Sequence, residues 1–293
     1  MTVNRVLFDA PGPRAQRRIT ITTAVSILLI VGLLVLALDQ FGAHGQLAAE
    51  RWQPFTHWPY IHFLLQGVVG TLKATGMAAV IAFPLGALMA LLRVSPNRFV
   101  RYLAIGYVEL FRSVPLLLLI YAFLLALPRF GLNLPIFFKL VVPIVIVNIA
   151  VLAEVFRAGI SAVDRGQSEA GAAIGLRYWQ IMRIVVLPQA IRIVAPALIT
   201  QLISLLKDST LGFVVSYPEL MKQGENLTVY THLLVQTYLI VAVIYVLINL
   251  ALGQLARVLE ARLNGRARSQ VGRAERAADP LGTVPAGPTA LLH

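Results

Sequence analysis

Twenty consecutive residues, Ile19 to Leu38, carry no charge. At a helical rise of 1.5 Å per residue, a run of that length matches the roughly 30 Å hydrocarbon core of a bilayer. Five further apolar stretches follow: about Leu64 to Leu92, Leu103 to Leu127 (broken by charges), Leu140 to Gly159, Ala190 to Val215, and Leu233 to Leu255. Only 13% of the chain is charged and 58% is hydrophobic, whereas soluble domains carry about 25% charged residues. A soluble globular enzyme, a disordered chain and a coiled coil are therefore excluded. The expected fold class is all-α: a polytopic membrane protein with six transmembrane helices. The first run exceeds the roughly 7–15 residues of a secretory signal's apolar region, so it reads as an anchor.

Sidedness follows from where the positive charge sits. Segments 1–18, 93–101, 154–192 and 257–293 carry +3, +3, +2 and +3 of the net +12. These are alternate loops, and placing them inside puts both termini in the cytoplasm. The basic patches are thus topology signals, and no nucleic-acid partner is expected. Trp52, Trp58 and Tyr60 precede the second span and fit an interfacial aromatic belt.

Several chemistries are missing from the sequence. There is no cysteine, so no thiolate metal site or cysteine nucleophile exists. The four lysines are followed by Ala, Leu, Asp and Gln, so there is no G-x-x-x-x-G-K-[ST] phosphate loop. No H-E-x-x-H or close metal-spaced cluster is present, and His44, His57 and His62 read as interfacial polar residues. If ATP drives this protein, another chain binds it.

The stretch Glu169 to Pro188, EAGAAIGLRYWQIMRIVVLP, lies in a loop placed inside. It reads as a helix over Gln167 to Ile174, a turn at Gly175, and a second helix in which Trp179, Met182 and Val186 recur at helical spacing. Pro188 marks the approach to the next span. A small-residue helix of this kind can seat in a partner's groove, and it can equally be an amphipathic interfacial helix. The residues alone leave both open.

The same stretch resembles the EAA loop of ABC-importer permeases, E-A-A-x3-G-x9-I-x-L-P. Glu169, Ala170, Gly175, Leu187 and Pro188 match in register, while Gly171 stands for alanine and Val185 for isoleucine. ELFRSVPLLLLIY (109–121), AEVFRAGI (153–160), LPQAIRI (187–193) and LLKDSTLGFVVSYPEL (205–220) are similar to the polar amino-acid uptake branch of that family. The opening VLFDAPGPRAQRR and the run SLLKDSTLGFVVSYPELM resemble its actinobacterial glutamate-uptake members.

This resemblance, covering about 60–257, implies the ABC-importer permease fold. It implies a five-helix core over 60–257 with a coupling loop at 162–188. Around that core lie a cytoplasmic segment 1–18, an extra transmembrane helix 19–41, and a basic, disordered tail 258–293 after a short helical exit. It implies bacterial plasma-membrane localisation and import of a polar amino acid, L-glutamate above glutamine, aspartate or a basic amino acid. The implied partners are an ABC ATPase dimer carrying ATP–Mg, a second homologous permease and an extracytoplasmic amino-acid-binding protein. This chain would bind no cofactor itself. Glu169, Ala170, Gly171 and Gly175, with Arg165 beside them, would meet the ATPase.

Charged groups within a span usually face a cavity or a partner. Gln201, Ser204 and Asp208 fall at i, i+3 and i+7 on one helix face, with Lys207, Ser209 and Thr210 adjoining. They are candidates to line the amino-acid pathway, Asp208 for the ammonium and Lys207 for a carboxylate. The alternative is that Lys207 and Asp208 pair within the chain. Arg112 and Ser113, before Pro115, form a second buried polar spot that could meet the substrate carboxylate, unless Arg112 pairs with Glu109. Two other classes stay in view: an ion-coupled secondary transporter, which would show more intramembrane carboxylates, and a membrane-embedded enzyme, which would need a nucleophile, metal set or acid/base pair.

Overall fold

The computed structural model describes residues 12–278. The chain divides into two compact units, Phe55–Ser269 and a smaller one formed by Met1–Pro54 with Gln270–His293.

In the smaller unit, α1 (Pro13–Ala43) starts with proline at its first position, where the missing N–H is no loss. Thr20 and Thr22 would be orphan donors in so apolar a helix. Each hydroxyl instead donates back to a carbonyl one turn earlier, Thr20 to Gln16 at 3.0 Å and Thr22 to Arg18 at 2.9 Å. The side chains of α1 are exposed along its length, Leu28 at 75% and Leu33 at 66%. An apolar helix with no polar face and no burial has lipid as its natural surrounding. It begins ahead of Ile19, inside the segment expected to be cytoplasmic; residues 1–11 lie outside the described residues.

The larger unit opens with α2 (Trp58–Arg93) and α3 (Arg98–Ser113). Then come α4 (Leu116–Tyr121), a π-helical turn (Ala122–Ala126) and a 3-10 turn (Leu127–Phe130). The long α5 (Ile136–Ala162) leads to the short α6 (Arg165–Ala173) and α7 (Tyr178–Ile181). A π-helical turn (Met182–Val186), α8 (Leu187–Asp208) and a 3-10 turn (Ser209–Val215) follow without a break. The unit closes with α9 (Leu220–Thr231) and α10 (Leu234–Ala278), which extends past its end. Among the described residues, five helical stretches are long and apolar enough to cross a bilayer, or six when the 98–130 segment is taken as one bent span.

That segment corrects the expected third span. Helix α3 and the helical stretch Leu116–Phe130 that opens with α4 meet at 94°, so 103–127 is not one rod. The cause is local: Pro115 pushes the residue before it out of the helical region, and Val114 is extended at φ −84°, ψ 123°. The expected fifth span is corrected at its start. Its helical path reaches back to Tyr178, and Pro188 lies inside that path, just after the π-helical turn Met182–Val186 that interrupts the α-helical ladder. The helical exit expected after 257 runs on to Ala278, and the rest of the 258–293 tail lies outside the described residues.

Helix α5 is the hub. Of its most apolar window 56% is buried, against 28% for α2 and 22% for the span containing α8. A stripe of Ala74, Ala78, Ala82, Gly86 and Ala90 runs down the buried face of α2. A Cβ at Gly86 would lie 2.5 Å from the Leu152 Cβ of α5, so only glycine permits that approach. Seven residues on along α5, Gly159 admits Val194 of α8, whose Cγ1 lies 2.3 Å from where a Cβ would stand. Small residues bring backbones together where lipid supplies no hydrophobic drive between helices. They hold α8, with its polar residues, against α5.

Candidate translocation row and coupling helix

Asn148 is 1% exposed in the middle of α5, a cost in apolar surroundings unless its amide is satisfied. It is satisfied three ways. Its Nδ2 donates to Ile144 O at 2.9 Å, one turn back, and to Asp208 Oδ2 at 3.1 Å. Its Oδ1 accepts from Gln201 Nε2 at 2.6 Å. Two of the residues placed on one face of α8, Gln201 and Asp208, thus meet through a third on a neighbouring helix. Beside them Thr75 of α2 donates to Ser209 Oγ at 3.3 Å, and Ser209 donates to Leu206 O. Thr210 turns back to Lys207 O at 2.7 Å. Ser204 is half-buried on the Gln201 face. Asp208 thus pairs within the chain, through Asn148, as the alternative expectation for it had it, while Lys207 lies exposed.

Arg112 and Ser113 do not form a buried spot. Both are exposed at the 94° bend, with Ser113 donating to Glu109 O at 2.8 Å. Nor does Glu109 pair with Arg112: its carboxylate faces Arg93 Nη2 at 3.8 Å. Arg93 belongs to an ionic knot joining three helices. The guanidinium at the end of α2 binds Glu154 of α5, which also binds Arg157 one turn on, with an Nε–Oε1 distance of 3.1 Å. Only 10% of the Arg93 side chain is exposed, so Glu154 is the counterion that makes its burial tolerable.

The inner loop folds as its residues require. Asp164 caps α6, its Oδ1 accepting from Gly166 N at 2.7 Å. Gly175 closes the helix at φ +84°, a conformation costly to any residue with a Cβ. Gly175 N and Leu176 N return to Ala172 O and Gly171 O at 2.9 and 3.1 Å. Arg165, Glu169, Ala170, Gly175 and neighbouring Ile174 are exposed, Ile174 at 77%. Gly171 differs from its neighbours. It is buried against Ile181 of α7, whose Cγ1 lies 3.0 Å from where a Cβ would stand, so it packs the hairpin and presents no outer surface. The hairpin is tied to the spans by Tyr178, which donates to Val94 O at 2.7 Å, and by Gln189, which donates to Gln167 Oε1 at 3.2 Å.

Glu219 is a buried carboxylate at the start of α9. It has no exposed surface, and it caps α9 by accepting from Met221 N and Lys222 N at 2.8 and 2.7 Å. Tyr245 of α10 donates to it at 2.8 Å. Burial pushes its carboxyl up to about 7, against the lowering effect of these donors.

Residues 82–265 match the family described as the binding-protein-dependent transport system inner membrane component. The glutamate transport system permease protein GluD of Corynebacterium glutamicum is 33% identical over 78% of this chain and 85% of its own. The probable glutamine ABC transporter permease protein GlnM of Bacillus subtilis is 36% identical over 68% of this chain and 92% of its own. A solved amino acid ABC transporter, crystallised with histidines, superimposes at a TM-score of 0.66 with 34% identity, covering 70% of this chain and 95% of that one. The chain therefore belongs to the binding-protein-dependent transport system inner membrane components: it is a multi-pass permease subunit of the bacterial plasma membrane, not an enzyme.

Proposed function

We propose that this chain forms part of the translocation path of an ATP-driven importer for polar amino acids, and that its substrate is L-glutamate. The row Gln201–Asn148–Asp208 carries the reading, because a hydrogen-bonded polar row within an apolar bundle has a purpose beyond packing. Similarity to a glutamate permease over most of the chain supports the substrate, and the glutamine permease keeps glutamine as the alternative. Asp208 attracts the substrate ammonium. Lys207 and Arg112, exposed cations, attract carboxylates as the amino acid passes, with Ser113, Ser204, Ser209 and Thr210 lending hydroxyls.

The exposed face of α6 around Arg165, Glu169, Ala170 and Gly175 seats on an ATPase subunit that binds ATP–Mg, and closure of the ATPase dimer moves it. A second homologous permease completes the path, and both termini face the cytoplasm. An extracytoplasmic binding protein delivers the amino acid to the outer side.

Uptake of labelled L-glutamate and L-glutamine by cells lacking this gene, complemented by wild type or Glu169→Lys, tests the reading. Glutamate uptake restored by wild type and not by Glu169→Lys is the expected result. Glutamine restored instead moves the substrate, and full rescue by Glu169→Lys removes the coupling role from α6.

A further inference from the structure

Asn148 was silent in the sequence, yet it decides which way the polar row points. Its Nδ2 faces two groups that only accept, the Ile144 carbonyl and the Asp208 carboxylate. Those two partners occupy both N–H bonds, so the amide cannot turn over without setting oxygen against oxygen twice. Its Oδ1 must then face the other way, where it meets Gln201 Nε2 at 2.6 Å. That contact orients Gln201 in turn: its donor is directed inward, and its Oε1 is directed away from Asn148. Asn148 is buried, while Gln201 and Asp208 each keep part of their surface exposed.

We infer that Asn148 is a positioning residue that fixes the polarity of this row, holding Gln201 by one of its two amide hydrogens so that Gln201 Oε1 and the Asp208 carboxylate together hold the α-ammonium of the passing amino acid. This rests on the row being part of the amino-acid path. An ammonium brings donors and positive charge to such a surface, whereas a carboxylate would meet two acceptors and be repelled. The row therefore grips what all amino acids share. Discrimination between glutamate and glutamine falls to groups outside it.

The complete importer in proteoliposomes, with labelled L-glutamate and L-glutamine as probes, tests the relay. Asn148→Asp turns an oxygen toward Asp208, and Asp208→Asn lets residue 208 present a donor to the path. Each should raise KM about tenfold or more at equal protein in the membrane, a size within reach of a broken buried pair. In Asn148→Asp/Asp208→Asn the new carboxylate at position 148 accepts both from Gln201 and from the amide introduced at position 208, so that the oxygens of both amides again turn away from position 148. Its KM should fall below that of Asn148→Asp alone. Gln201→Glu, at a partly exposed position that tolerates change, adds negative charge but sets oxygen against Asn148 Oδ1, and should also raise KM about tenfold. The inference is overturned if Asn148→Asp keeps the wild-type KM and loses only protein amount, if the double variant is no better than Asn148→Asp, or if Gln201→Glu lowers KM. Wild-type vesicles that take up neither amino acid overturn the path reading itself, and the relay with it.

Discussion

At Gly86 one hydrogen atom in place of a methyl lets α2 and α5 touch, with Leu152 where a Cβ would stand. Gly86→Val should cost about 1–3 kcal/mol through overpacking, read as a lower melting temperature of the purified protein in detergent. Glu219 makes a different prediction. Its folded carboxyl titrates at about 7 against an ordinary 4.5. The folded state therefore holds a proton that the unfolded chain releases. The stability this gives is complete below about 4.5 and is lost as pH rises through about 7. The melting temperature of wild type should fall between about pH 6 and 8 by a few degrees more than that of Glu219→Gln. Neither residue was marked in the sequence. A glycine in an apolar run does not say what approaches it. Glu219 sits among other charges, where a solvated loop is the plain reading. Asn148 is one uncharged polar residue in a long apolar stretch, and only its partners on α8 make it visible.

At the scale of elements the sequence was more informative, because helix ends and breaks have local causes. Asp164 and Gly175 bound α6 as cap chemistry requires, and Pro115 marks the bend between α3 and α4. The inward turn of Gly171 was not legible, since it depends on Ile181 across the hairpin. Gly175→Val should cost the hairpin about 1–2 kcal/mol, the penalty of a left-handed β-branched residue, whereas Gly175→Asn should be tolerated better. Co-purification of the ATPase with the permease measures this, with valine reducing recovery of the ATPase more than asparagine.

For the whole molecule, sidedness is the expectation open to the most direct check. The chain has no cysteine, so a single introduced thiol reports without background. Leu47→Cys and Ile174→Cys fall at positions 48% and 77% exposed. An impermeant maleimide added to intact cells should label the first and reach the second only after permeabilisation. The reverse pattern would invert the topology drawn from charge. The ionic knot bears on how movement spreads through the larger unit. Arg93, Glu154, Arg157 and Glu109 clamp α2, α3 and α5 together, and Tyr178 is hitched to Val94, the residue after α2. Glu154→Gln should leave ATP hydrolysis by the assembled importer intact while uptake falls; equal uptake at equal protein would free the knot of this role. The hairpin of α6 and α7 is thus attached, through Tyr178, at the end of three helices held by one ionic knot. The π-helical turn at Met182–Val186 carries the chain from that hairpin into α8, its wider backbone ladder anchored by buried Met182 and Val186.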